Sequence, residues 1–157
     1  MKTLDELVDE MEIIGEDLLK RAASMAAFED RVLYLVKMED ILYTYTKDKS
    51  VLPIPCEEFA NDRATLADDV KKLYFIYDEE LAGYKKMQDI IKQILTFGKA
   101  STKYLSVDFV AAVINNKHEI KNAQKYIKRI MIKCGIMTKE DFVKKEDSAS
   151  VENEIIN

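Results

Sequence analysis

LDELVDEMEIIGEDLLKRAASMAAFEDRVLYLVKMEDIL, residues 4–42, is the stretch that decides the fold class. Leu4, Leu7, Met11, Ile14, Leu18, Met25, Phe28, Val32, Leu35 and Leu42 follow one another at steps of three, four or seven. Only a helix brings that spacing onto one side. Set in heptads, the a positions read Leu4, Met11, Leu18, Met25, Val32 and Glu39, and the d positions Leu7, Ile14, Arg21, Phe28, Leu35 and Leu42. The pattern predicts a single helix over about residues 3–46 with a coiled-coil-like seam. Thr3 and Glu6 offer a capping box at its start. Gly15 falls at an e position, where it costs about 1 kcal/mol relative to Ala without shifting the phase.

The seam changes along its length. Asp5, Glu6, Asp9, Glu10, Glu12, Glu16 and Asp17 coat the early turns, where negative charge also suits the positive end of the helix dipole. From Leu18 the apolar surface widens through Leu19, Ala22, Ala26, Leu33, Tyr34, Val36, Ile41 and Tyr43. A helix apolar on most of its circumference is touched from several sides, so this half is expected inside a bundle or at an oligomer interface. Leu33, Tyr34, Val36, Ile41, Tyr43 and Tyr45 form the candidate protein interface, tyrosine being a residue that interfaces favour. Arg21 at d and Glu39 at a interrupt the seam, as residues do that fix register or mark where the partner changes.

Outward from this helix, Pro53 and Pro55 end it by lacking donors and favouring extended backbone. A second helix is expected over about 57–97, with Leu66, Val70, Leu73, Tyr77, Tyr84, Met87, Ile91 and Ile94 as its seam and Gly98 as its stop. Ser106 caps a third over about 106–134, whose apolar face is Phe109, Val113, Ile120, Ala123, Ile127, Ile130, Met131 and Cys134. Thr138 to Phe142 adds one further turn. Three long helices with short connections imply an all-α, elongated antiparallel bundle. Residues 1–143 read as one helical domain, and 144–157 as a polar acidic tail expected to be disordered.

Composition narrows the function classes. Charged residues make up 34% of the 157 residues against about 25% in an average domain, which suits long helices with solvated faces. The chain is long enough to bury a core without disulfides or metals. Cys56 and Cys134 have no CxxC or metal-ligand spacing, which points to free thiols. The acidic first turn does not read as a signal peptide, so no leader is expected, and no apolar run reaches the roughly 18 residues of a membrane span. A cytoplasmic location, or one within a virion assembled there, is the expectation, with no membrane partner.

Sites with chemistry are scarce. His118 is the single histidine and sits on a polar stretch; di-iron bundles and most zinc sites need more such ligands. The acids of Glu6, Asp9 and Glu12, of Asp68 and Asp69, and of Asp78 to Glu80 lie mostly off the apolar seams, as a solvated face does. There is no P-loop, Gly-rich dinucleotide turn or nucleophile elbow. The sequence therefore points to no catalytic residue, no metal and no cofactor, and the chain is not expected to be an enzyme.

Charge is unevenly distributed. Residues 1–98 carry 13 basic and 21 acidic side chains, whereas residues 99–134 carry 8 and 2. At about 100° per residue, Lys117, Lys121, Lys125 and Lys128 share one sector of the third helix, and Arg129 widens it. Like charges at i, i+4 repel, so acidic faces of the first two helices, an acidic protein or a phosphate backbone would compensate them. The expected function is that of a non-enzymatic assembly or adaptor protein, for example a phage or bacterial structural or regulatory component. It would act through helix–helix contacts, by self-association or within a larger assembly. The alternative is a small α-helical nucleic-acid-binding subunit of a ribonucleoprotein complex, using the basic third helix.

Overall fold

A helix must satisfy the backbone donors and acceptors of its end turns, and this sequence does so with side chains at the starts of its first and third long helices and leaves the second and third at glycines. Thr3 Oγ1 accepts a hydrogen bond from the Glu6 N–H at 3.2 Å and meets Glu6 Oε1 at 3.2 Å, opening α1 (Leu4–Asp48). Ser106 Oγ accepts from the Phe109 N–H at 3.0 Å and opens α3 (Val107–Lys133). At the end of α3, Gly135 takes φ +73°, the Ile136 N–H reaches Met131 O at 3.0 Å, and the Gly135 N–H reaches Ile132 O at 3.0 Å. That is a Schellman motif, and it needs the left-handed conformation that glycine takes without strain. Gly98, also left-handed at φ +66°, follows α2 (Glu57–Leu95) after a turn in which the Thr96 and Phe97 N–H groups reach Gln93 O and Ile94 O.

The computed structural model describes residues 1–48 and 57–144, with side chains described for 1–45 and 64–144. The chain order is α1, α2, a 3-10 helix at Gly98–Lys103, α3 and a second 3-10 helix at Lys139–Phe142. No strand occurs among the described residues. Helix limits agree with those expected from the sequence to within two residues. The Pro53–Pro55 terminator, Cys56 and the expected tail beyond Lys144 lie outside the described residues. The extra turn after Thr138 is present, closed by a capping box in which Asp141 accepts from the Thr138 N–H at 2.8 Å.

Three helices pack into an all-α bundle, in two compact units, each holding a length of all three. The first comprises Met1–Phe28 and Ile76–Gln124. Its core joins Leu7, Val8 and Met11 of α1, Met87, Ile90, Ile91 and Ile94 of α2, Leu105, and Val113 of α3. Within it α2 runs antiparallel to both neighbours. Gly15 lies beside Met87 and Leu18 beside Gly83, while Lys117 donates to Gln88 at 2.8 Å and Gln124 to Asp78 at 2.6 Å. A Cβ on Gly83 would come 2.8 Å from Leu18 Cδ2, so a side chain there would require the end of Leu18 to shift.

The second unit comprises Glu29–Phe75 and the chain from Lys125 onward. Val32, Leu35, Val36 and Glu39 of α1 are buried in it, as are Leu66, Val70 and Leu73 of α2, Ile127, Ile130 and Met131 of α3, Met137 and Phe142. Phe142 meets Tyr74 edge-on at 4.9 Å between ring centroids, which fastens the last turn to α2. Ion pairs fix the neighbours of α1: Arg31 with Asp69 of α2 at 2.8 Å, and Asp40 with Lys133 of α3 at 2.8 Å.

Two glycines should respond to alanine in opposite directions. A Cβ on Gly15 would meet Met87 Cε at 3.6 Å, an ordinary contact in mid-helix. Gly15→Ala should therefore stabilise by about 1 kcal/mol, raising the melting temperature by roughly 2–4 °C. Gly135→Ala should lower stability by about 1–2 kcal/mol, since alanine is strained at positive φ. Thermal melts followed by circular dichroism check both; equal signs would contradict the assignment.

Candidate interaction surface

On a helix that buries one side completely, the other exposed residues say what a partner could touch. In the second unit Val36 is 0% exposed and Glu39 2%, and both point with Val32 and Leu35 into the core. Measured from Tyr34 at about 100° per residue, Met38, Ile41 and Tyr45 fall within a sector of roughly 60°. Val36 and Tyr43 fall on the opposite side. Tyr34 is 60% exposed, Ile41 40% and Tyr45 49%, with Met38 half-buried between them. The spacing i, i+4, i+7, i+11 is a second apolar seam on α1, facing away from the first. No charged side chain lies inside it between residues 34 and 45.

The six interface residues expected from the sequence are thus divided. Tyr34, Ile41 and Tyr45 share the exposed stripe. Val36 is core, Leu33 is half-buried off to one side, and Tyr43 is half-buried with Lys133 Nζ 5.6 Å from its ring centroid. Met38 was missed, although the four-residue step from Tyr34 would have found it once the inner face was known. Two further features of α1 are placed by the structure. The apolar widening after Leu18 is not covered in the first unit: Leu19 is 73% exposed, and Ala22 and Ala26 are exposed. The reason is composition, because Ala22, Ala23, Ala26 and Ala27 count as apolar but serve equally as strong helix formers at solvent. Glu39, the polar residue that interrupts the seam at an a position, is buried within it, and its carbonyl oxygen accepts from Cys134 Sγ at 3.7 Å.

The basic residues of α3 are also divided. Lys117, in the first unit, is half-buried and donates to Gln88. In the second unit Lys128 Nζ sits 6.0 Å from the Tyr74 ring centroid and 5.8 Å from that of Phe142, and the Arg129 guanidinium lies 5.8 Å from the Tyr126 ring. These contacts use aromatic faces and an amide, and none of them is with an acidic side chain. Lys121 and Lys125 are exposed, and neither takes part in the ion pairs among the described residues. His118 is exposed. Among the described residues no group of three or more His, Cys, Asp or Glu is placed to hold a metal ion, and no helix is long and apolar enough to cross a membrane.

A groove of about 390 Å³ lies between α1 and α2 in the first unit, lined by Ile14, Leu18, Ala82 and Gly83 with Asp17, Arg21, Glu79 and Lys86. Arg21, expected at a seam position, pairs there with Glu79 at 3.2 Å, both side chains being largely exposed. The opposite charges already meet across the groove, so its lining offers no concentrated charge to a ligand.

Comparison with protein-family models, with curated proteins and with solved structures gave no match.

The two faces of α1 should separate in mutagenesis. Leu35→Ala empties a buried position and should cost about 2–4 kcal/mol, whereas Tyr34→Ala should change stability by no more than about 0.5 kcal/mol. Chemical denaturation of both variants checks this, and equal losses would refute the assignment of faces.

An alkaline transition follows from the same unit. The hydrogen bond to Asp40 raises the Lys133 pKa above 10.5. Burial, with Asp40 adding its charge, raises Tyr126 above 10.0. Burial likewise raises Tyr84 in the first unit. Folded-state values above the unfolded ones mean that this stabilisation is complete below about pH 10 and is lost as pH climbs through the folded values. The melting temperature should be insensitive to these groups up to pH 9 and fall above about pH 10. Asp40→Asn should make that fall shallower; an unchanged slope would show that Asp40 plays no part.

Proposed function

We propose that this chain is a non-enzymatic interaction protein that works by helix-on-helix contact, with the outer seam of α1 as its docking surface. The observation that supports this reading is the Tyr34–Met38–Ile41–Tyr45 stripe, exposed on a helix whose opposite side is already occupied by the core. A partner helix recognises such i, i+4, i+7 anchors. Tyrosine brings a large apolar area at low conformational cost, and its hydroxyl tolerates water when no partner is bound. Structural, adaptor and regulatory components of larger assemblies fit this mode, and a cytoplasmic setting in a bacterium or a phage-infected cell fits the composition.

Contact with nucleic acid through α3 is the second reading, favoured by the exposure of Lys121 and Lys125. It predicts single-strand binding that weakens with salt and is lost in Lys121→Glu/Lys125→Glu.

The first reading is tested by placing a photo-reactive phenylalanine analogue at Tyr34, Ile41 or Tyr45, and at the exposed control positions Lys20 and Lys85, in cells that express the chain. Discrete cross-linked species should form from the three stripe positions and not from the controls. Cross-linking no greater at the stripe than at Lys20 and Lys85 would rule the surface out.

A further inference from the structure

The outer seam has an order that says what it fits. Read from either end it runs tyrosine, aliphatic, aliphatic, tyrosine, at spacings of four, three and four: Tyr34, Met38, Ile41, Tyr45. A two-fold axis through the midpoint between Glu39 and Asp40 brings residue i of one helix opposite residue 79 − i of another. Tyr34 then faces Tyr45, and Met38 faces Ile41, on both sides of the axis. We infer that the stripe pairs with the same stripe of a second copy of this chain, with the two α1 helices antiparallel. This rests on the reading of the outer seam as a docking surface.

Three physical points favour a second copy over an unrelated helix. An isologous contact requires that residue i touch residue j while j touches i, and a palindromic stripe meets that requirement without further design. The 4-3-4 spacing is that of a d-a-d-a seam, so two such stripes interlock at the shallow crossing of coiled coils. The flank carries little opposition: Lys37 on one helix lies closest to Thr44 of the second copy, a neutral side chain. A parallel pair would instead set Tyr34 on Tyr34 and Met38 on Met38, and nothing in the order of residues calls for that.

Size sets the strength. With on the order of 100 Å² exposed per stripe residue, two copies would bury roughly 800 Å² together, below the ~1,200 Å² at which stable complexes begin. The pair is therefore a weak, reversible one, with a dissociation constant on the order of 10–100 μM.

The test uses the full chain with Cys56 and Cys134 replaced by Ser and single cysteines introduced in two variants. Tyr34→Cys and Tyr45→Cys are mixed in equal amounts at about 200 μM and oxidised, beside each variant alone. The mixture should give a heterodimeric disulfide at least five-fold more abundant than either homodimer. Sedimentation of the unmodified chain should show a concentration-dependent dimer, which Ile41→Glu removes with no change in its helical circular dichroism. Homodimers of Tyr34→Cys in excess over the heterodimer would overturn the antiparallel pairing. A chain that stays monomeric at 200 μM would overturn self-pairing altogether, and the docking reading would still stand if the photo-reactive positions capture a different, heavier protein in cells.

Discussion

Burial of Val32, Leu35, Val36 and Glu39 commits one side of α1 to the second unit's core, and the rest of that unit is arranged around the commitment. Leu66, Val70 and Leu73 from α2 and Ile127, Ile130 and Met131 from α3 answer it with buried faces of their own. The ion pairs Arg31–Asp69 and Lys133–Asp40 then fix which neighbour stands on which flank. Each exposed pair is worth little, about 0–1 kcal/mol. Their value is positional, since the apolar contacts between them are non-directional. Once the inner side is assigned, the outer side is free to carry a different job, and the chain fills it with tyrosine, methionine and isoleucine instead of charge.

The helices and their seams were legible because a 3.6-residue period and end signals act locally. Thr3, Ser106 and Gly98 mark boundaries by hydrogen bonding or backbone freedom alone, so their roles do not depend on the rest of the chain. The α2 and α3 seams were legible for the same reason: Leu66, Val70, Leu73, Tyr77, Met87, Ile91 and Ile94 are all buried, and Tyr84 half-buried.

What periodicity could not do was assign sides on a helix that is apolar nearly all round. Residues 33–45 offer apolar candidates in every direction, and only the placement of α2 and α3 decides that Val36 is inside and Tyr34 outside. The alanines at 22, 23, 26 and 27 are ambiguous for a related reason, because alanine satisfies both a buried position and an exposed helical one. The basic face of α3 read as a single strip on a helical wheel. Lys117 and Lys128 turn to Gln88 and to the Tyr74 and Phe142 rings, contacts that join residues distant in sequence.

α1 carries two apolar seams, one buried in the core of its own chain and one largely exposed, which the proposed docking would cover. Hydroxyl-radical footprinting of the dilute purified chain and of the same chain inside cells tests this directly, residue by residue. Tyr34, Met38, Ile41 and Tyr45 should be oxidised readily in dilute solution and protected several-fold in cells, while the buried Val36 stays unreactive in both. Equal oxidation of the four stripe residues in the two settings would contradict the account.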